Sequence, residues 1–512
     1  MLLWQYCTSE AIMQTKEPLS LPELYERVEQ LRQTVYEEGT RLFKKWHPRL
    51  HRKEAQSSIQ NFAYYLALRH YDIRNIQIQL AHYGLADLSQ LELYVLPQLD
   101  MVRYHLATLC HKAIPSTGFD KLYQIDINRH SLHDNTRKIF GKEPKSRYTR
   151  IMVTLPPEAV QPQVVAVLLE KGMDIARINC SHDTPADWQE MADNVHFLSN
   201  KLQKNCKIYF DIAGPKIRIE SVYTILQNPR LIPGSTFFLT AEETMTSYYN
   251  QSIVLSCAYP EVIDTLKLND RLSIDDGHIT AHVIAKKNEG AIFLVDSAAK
   301  DGGFKIKATK GLNFPDNKQA LPLITKRDKM SLKIARQYAD IIGFSFIQTV
   351  DDVTAIQHQL DTLYGSIAMD IPIILKIETV SAFNSLPDIL AIAVGHNPVG
   401  VMIARGDLAV EAGYLRLTEL QEEILWLCEA AHVPVIWATQ ILESLIKNGV
   451  PTRAEMTDAT AACRAEVAML NKGPYLESGI ALLDKVLESG RENQNKKNAT
   501  LRSLHVAKRL WQ

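Results

Sequence analysis

Between residues 151 and 487 short apolar runs and helical patterns take turns, and this alternation restricts the fold more than any other feature of the chain. The runs are Ile151 to Thr154, Ile175 to Ile178, Ile208 to Phe210, Ile341 to Phe344, Ile373 to Leu375, Val399 to Ile403, Val435 to Trp437 and Val467 to Leu470. Apolar side chains at helical spacing lie between them, for example from Gln163 to Lys171, Trp188 to Leu202, Leu417 to Ala431 and Ile480 to Leu487. Eight buried strands, each followed by a helix, make an α/β fold of the (β/α)8 TIM-barrel type. The rhythm lapses once. From Asp211 to about Lys326 the sequence offers no helix, only short β-type runs separated by turns such as Pro233-Gly234, Asn269-Asp270 and Asn288-Glu289-Gly290. A small β-domain is therefore expected over residues 213–311, inserted after the third strand, with the barrel formed by 148–212 and 312–490.

The remainder falls outside this pattern. Residues 1–18 read as a tail. Residues 19–113 read as an all-helical accessory domain, with Leu24, Val28, Leu31 and Val35 at helical spacing and a helix break expected at Pro97. Residues 114–147 are rich in Gly, Pro, Ser, Asn and charge and read as a linker, and 491–512 as a charged tail. The basic stretch from Arg41 to Lys53 suits an anion or an acidic partner, or simply a solvated helix end. Lys and Arg number 57 against 58 Asp and Glu, a net charge of −1 that argues against a nucleic-acid or membrane partner. Seven dispersed cysteines without a CxxC pair fit a reducing compartment, and with no signal or membrane-length segment the expected location is cytoplasmic.

The chemistry is expected at strand ends, because ligands of parallel α/β folds sit at the carboxyl ends of the strands. Lys376 and Glu378 close the fifth run and, two residues apart on an extended backbone, share a face. The sixth run stops at Arg405-Gly406-Asp407. Two carboxylates and an ammonium at neighbouring strand ends suit a divalent cation beside a substrate oxyanion; a rim salt bridge is the plain alternative for either pair alone.

These stretches, LKIET and GVMIARGDLAVE, resemble the metal-binding strands of pyruvate kinase, and the likeness extends from about Thr149 to Leu487. Arg177, Asn179, Ser181 and His182 match the family's R-x-N-x-S-H segment, Asp211 to Arg218 its D-x-x-G-P-x-I-R, Ala438 to Ser444 its A-T-Q-M-L-E-S, and Pro451 to Glu455 with Asp458 the pattern that follows. The resemblance implies that the inserted domain is a β-barrel lid and that the substrates are phosphoenolpyruvate/pyruvate and ADP/ATP. It further implies Mg²⁺ or Mn²⁺ held by Glu378 and Asp407, catalytic roles for Lys376, Arg177 and Thr439, and substrate or nucleotide contacts from Arg177, His182, Arg218, Gly406, Asp407 and Thr439. Asn179, Ser181, Asp211 and the carbonyl of Ile212 correspond to a monovalent-cation site. A homo-oligomer through the barrel is compatible with it. Several positions depart from the family. Val153-Thr154-Leu155-Pro156-Pro157 stands where the family has T-x-G-P-S, and Asn471-Lys472-Gly473-Pro474 where it has S-G-E-T, both where nucleotide and phosphate are held; the family does not generally carry the helical domain, and the usual carboxyl-terminal domain is expected to be missing. Lys216 stands where potassium-requiring members carry Glu, so activity without K⁺ is expected. Two other functions keep the same site: a metal-dependent lyase or aldolase acting on a pyruvate enolate, and a non-catalytic phosphoenolpyruvate-binding regulator.

Overall fold

The computed structural model describes residues 19–113, 131–241, 250–257, 259–275, 277–299, 302–316, 321–495 and 498–499. The expected tail over 1–18, the first half of the expected linker, Asp276 and most of the stretch after 491 lie outside the described residues. The chain divides into two units. The first comprises residues up to Asn135 together with Trp426–Val433, and the second comprises the rest.

Among the described residues of the first unit, the helices α1 (Leu21–Trp46), α2 (Gln56–Arg69), α3 (Arg74–His82) and α4 (Val95–Leu109) bury apolar side chains against one another. Helix α1 opens on a Ser20–Glu23 capping box and buries Leu24, Val28, Leu31 and Val35, the stripe visible in the sequence. Arg32 of α1 meets Asp100 of α4 at 2.9 Å. Pro97 does not break a helix: it is the third residue of α4, in the first turn, where a missing N–H is tolerated. In the segment 426–433, His432 is fully buried; its Nδ1 lies 2.9 Å from Ser58 Oγ and its Nε2 3.1 Å from the Leu93 carbonyl.

Helix α5 spans 131–140, within the stretch expected to be a linker, and from Thr136 onward belongs to the second unit. The barrel follows, with strands β1 (Arg150–Thr154), β2 (Ile175–Asn179) and β3 (Lys207–Ile212) separated by α6 (Pro162–Lys171) and α7 (Pro185–Lys201). The inserted domain holds β4 (Ile219–Thr224), β5 (Arg230–Leu231), β6 (Thr236–Thr240), β7 (Ile253–Cys257), the short helix α8 (Pro260–Thr265), β8 (Arg271–Ile274), β9 (Ile279–Lys287), β10 (Gly290–Ala298), β11 (Phe304–Lys305) and β12 (Leu312–Asn313). The barrel then resumes with α9 (Lys326–Tyr338), β13 (Ile341–Phe344), α10 (Val350–Tyr364), β14 (Ile373–Ile377), α11 (Val380–Val394), β15 (Val399–Ala404), α12 (Arg405–Ala412), α13 (Tyr414–Ala430), β16 (Val435–Ala438), α14 (Glu443–Asn448), α15 (Arg453–Ala461), β17 (Val467–Leu470) and α16 (Leu476–Asn493).

The eight parallel strands close in the order β1-β17-β16-β15-β14-β13-β3-β2. Thr184, Thr325, Thr349 and Thr452 start α7, α9, α10 and α15 with capping boxes to Asp187, Asp328, Asp352 and Glu455, so these four helices carry their own start signals. In the insertion a seven-stranded sheet, β12-β8-β9-β10-β6-β7-β4, curls around Phe237, Leu239, Leu255, Val283 and Phe293, and its two edges meet at an antiparallel bridge between Arg218 and Gly311. Leu312 and Asn313 pair with β8, so the insertion runs two residues further than the sequence pattern implied, and α8 is a helix the pattern did not show.

Alternate residues of the barrel strands face inward. Met152, Ile175, Tyr209, Ile341, Ile374, Met402, Ile436 and Val467 form one cluster with Ile139 and Phe140 of α5. Ile341 opens β13, and Gly400 is the second residue of β15 with its Cβ direction 3.4 Å from the Phe140 ring, so α5 supplies the floor of the barrel at the amino ends of the strands.

Candidate active site

Two residues beyond this apolar layer the same strand faces turn polar: Arg177 follows Ile175, Asp211 follows Tyr209, Lys376 follows Ile374, and Glu378 comes one step later. Arg177 Nε donates to Asp211 Oδ2 at 2.9 Å, its Nη2 makes a second bond to the same oxygen, and its Nη1 donates to Thr154 Oγ1 at 2.7 Å. Lys376 Nζ stands 3.3 Å from Asp211 Oδ1 and 3.2 Å from Glu378 Oε1. It donates to Ser345 Oγ at 2.7 Å, and that hydroxyl donates to the Ile212 carbonyl at 2.9 Å. Glu378 Oε2 accepts the Phe346 N–H at 2.7 Å; Phe346 holds a left-handed φ of 59°, which aims that N–H inward. Gly343 keeps the interior open, since a Cβ there would fall 1.7 Å from Tyr209 Oη.

Asp407 lies in the first turn of α12, and Lys216, in the hinge leading to the inserted domain, approaches its Oδ1 to 3.0 Å. Gly406 N–H donates to Thr439 Oγ1 at 3.0 Å. Lys216, Phe346, Glu378, Asp407 and Glu411 border a cleft of about 550 Å³ between hinge and barrel mouth. Along the mouth, Arg177, Lys376 and Lys216 are matched by Asp211, Glu378 and Asp407.

Burial and neighbouring charge work against each other here. Burial alone would raise the Asp211 carboxyl, but Lys376 and Arg177 outweigh it and hold the group below the usual carboxylate range. Burial would lower the Lys376 ammonium, yet Asp211 and Glu378 hold it above its ordinary value. Glu378 is pushed up by burial and by the charge of Asp407, against the opposing pull of Lys376. Glu411 is raised to about 7, chiefly by burial. At the rim the His182 imidazole is held down by desolvation and then by the cations Lys472, Arg218 and Arg177.

The structure thus brings together Arg177, Asp211, Lys376, Glu378, Asp407, Gly406 and Thr439. Asn179 is the strand-register partner of Asp211, but its Oδ1 accepts the Ser181 N–H at 3.1 Å, and the Ile212 carbonyl is taken by Ser345. Of the oxygens expected around a monovalent cation, Asn179 Oδ1 and the Ile212 carbonyl thus have internal partners, whereas Asp211 Oδ1 is buried without a hydrogen bond among the described residues. Lys216, expected beside that set, instead reaches Asp407. Arg218 donates to the Thr309 carbonyl, tying together the two strands of the hinge. Three contributors were given no site role from the sequence: Ser345 as a bridge, Lys472 near His182, and the Arg405–Asp458 pair behind Thr439. Replacement of the small S-G-E-T residues by a lysine was the one available signal for Lys472.

Glu378 and Asp407 fit a divalent cation. The Asp407 charge is felt at Glu378, and among the described residues no set of three His, Cys, Asp or Glu offers an all-protein cage. A pair of carboxylates suits Mg²⁺, which keeps much of its shell for water and substrate oxygens.

A family model described as pyruvate kinase, barrel domain, matches residues 146–471. The chain belongs to the pyruvate kinase family. It is 32% identical over 316 residues to pyruvate kinase of Dictyostelium discoideum (61% of this chain, 59% of that one) and 33% identical over 320 residues to the Thermotoga maritima enzyme (62% and 64%). Plastidial pyruvate kinase 3 of Arabidopsis thaliana is 30% identical over 353 residues, 68% of this chain and 56% of that one. A crystal structure of a pyruvate kinase from Cryptosporidium parvum superposes with a TM-score of 0.59 at 26% identity, covering 69% of this chain and 72% of that chain. This chain spans 51 to 64% of the length of the curated relatives it matches.

Proposed function

We propose that this member of the pyruvate kinase family transfers the phosphoryl group of phosphoenolpyruvate to ADP, giving pyruvate and ATP. The observation that carries the reading is the alternating charge row at the barrel mouth, Arg177–Asp211–Lys376–Glu378, next to Asp407 and Thr439. A divalent cation on Glu378 and Asp407 would supply Lewis-acid neutralisation of the substrate's oxygens. Lys376 and Arg177 offset the charge of the phosphoryl group as its bond to the bridging oxygen breaks and a β-phosphate oxygen of ADP takes it. Lys376 keeps its proton throughout, because Asp211 and Glu378 hold the ammonium charged. The first turn of α12 presents the Asp407 backbone N–H for the substrate carboxylate, the Gly406 N–H being engaged by Thr439 Oγ1. Thr439 lies where the enolate carbon is protonated, delivering or relaying the proton that completes pyruvate.

His182, Arg218 and Lys472 belong to the nucleotide side of the mouth. There Lys472 supplies positive charge that the Leu155-Pro156-Pro157 segment lacks. A cytoplasmic, glycolytic setting is part of the proposal; among the described residues no helix is long and apolar enough to cross a membrane. The test is a lactate-dehydrogenase-coupled assay on the full chain with phosphoenolpyruvate, ADP and Mg²⁺. Folded protein without turnover sinks the reading; pyruvate methyl-proton exchange and retro-aldol activity without nucleotide would replace it with the lyase.

A further inference from the structure

Behind Thr439 the barrel carries a side-chain cluster that the proposed chemistry does not use. Thr439, Gln440 and Leu442 all adopt left-handed φ values, 65°, 59° and 49°. A β-branched residue in that region is a steric outlier that persists only where its surroundings enforce it. The enforcing group is Arg405. Its Nε donates to the Ala438 carbonyl at 2.9 Å, its Nη2 to the Thr439 carbonyl at 2.5 Å and to Asp458 Oδ2 at 2.8 Å, and its Nη1 to Asp458 Oδ1. The guanidinium lies over the Trp437 ring at 4.7 Å, and Trp437 Nε1 donates to Asp458 Oδ1 at 3.2 Å. From the same α12 turn, Gly406 N–H holds Thr439 Oγ1. One planar fork thus grips two successive carbonyls of the strained turn while its far side is fixed by a bidentate carboxylate and an aromatic face, a geometry that lysine cannot reproduce.

We infer that Asp458, acting through Arg405, is a positioning residue: it locks the strained Thr439 turn so that the Thr439 hydroxyl faces the enolate carbon, and so governs the protonation half of the reaction. The inference rests on the proposed phosphoenolpyruvate chemistry for its kinetic consequences, but the lock itself is independent of it. Asp458 is distant from the metal carboxylates in sequence and touches neither in any described contact. Its loss should therefore spare metal binding and phosphoryl transfer while degrading delivery of the proton.

The experiment compares the full chain with Asp458→Asn, Asp458→Glu and Arg405→Lys. Displacing a positioned group by about an ångström costs up to ~100-fold, so kcat should fall by at least about tenfold in Asp458→Asn, with the KM for phosphoenolpyruvate and the Mn²⁺ affinity within about threefold of wild type; Asp458→Glu should recover part of the loss. Arg405→Lys should resemble Asp458→Asn, and the double variant should be no worse than either, because the two act as one unit. A further readout is one that a purely structural residue would not move. Phosphoenolpyruvate carrying tritium at one methylene position, converted in D₂O, yields a chiral methyl group in wild type and a racemised one in Asp458→Asn, as enolpyruvate escapes and ketonises in solvent. Hydrogen exchange of the peptide covering 437–442 should quicken at unchanged exchange elsewhere. Retained chirality with kcat within twofold of wild type, or a change confined to melting temperature, overturns the inference. If wild type shows no turnover the kinase reading falls, and local exchange then decides the lock: faster exchange upholds it, unchanged exchange overturns it.

Discussion

Replacing Lys216 by Met should tighten divalent-cation binding. The Lys216 ammonium lies 3.0 Å from Asp407 Oδ1, with side-chain exposures of 26% and 25%, so a cation held between Glu378 and Asp407 must displace it or share its carboxylate. At that distance the attraction is about 5 kcal/mol for an effective dielectric of ~20. Solvent access to both side chains reduces the net coupling to about 1–2 kcal/mol. Removing the ammonium should therefore lower the Mn²⁺ dissociation constant ~5- to 30-fold. Met retains most of the aliphatic stem, which runs past Gly311, where a Cβ would lie 3.0 Å from Lys216 Cε. The assay is titration of the protein with Mn²⁺ followed by electron paramagnetic resonance, which needs no turnover. An unchanged or weaker Mn²⁺ affinity would refute the competition.

Asp407→Asn should lower kcat at least about 100-fold and raise the Mn²⁺ dissociation constant, since a hard cation with only two protein carboxylates loses half of them; the melting temperature should change little, and unaltered metal dependence would contradict the assigned site. Lys472→Ala should raise the KM for ADP about tenfold, as expected for one charge-assisted phosphate contact, while leaving that for phosphoenolpyruvate within twofold; equal effects on both substrates would remove Lys472 from the nucleotide side. Burial lowers His432 to about 4 from 6.5. Leu93 O only accepts, so Nε2 carries the proton and Nδ1 accepts from Ser58, which fixes the neutral form in the fold. The unfolded chain gains a proton there first on acidification, so this site's stability contribution is complete above pH 6.5 and is lost as pH falls toward 4, by at most about 3 kcal/mol. Denaturant melts of wild type and His432→Gln between pH 4 and 7.5 should diverge by that slope, and parallel curves would argue against it.

The barrel was legible in the sequence because buried parallel strands need unbroken apolar runs, and eight of them stood out. The polar layer was legible where period two was simple, as at Lys376 and Glu378, whose shared face became a 3.2 Å ion pair. Contacts depending on distant chain segments were not. Nothing local indicates that Lys216 meets Asp407, 191 residues away, or that Asp458 grips an arginine 53 residues earlier. Pro97 misled because proline ends helices in their interior but is harmless in a first turn. The expected linker misled because Gly, Pro and charge dominate it, and the two apolar residues that matter, Ile139 and Phe140, form too short a run to register against that background.

Those two residues also decide where the chain can be divided. Composition invites a cut near Lys145, which would leave every strand and every candidate site residue in place. It would also remove the plug beneath the strands and let water into a chamber lined by Met152, Tyr209, Ile374 and Met402. Deleting a buried aromatic side chain alone costs roughly 3–5 kcal/mol, a large share of the margin by which a domain stays folded. A fragment that keeps the barrel core intact therefore begins before Ile139. The stretch resembling a tether is part of the vessel it leads into.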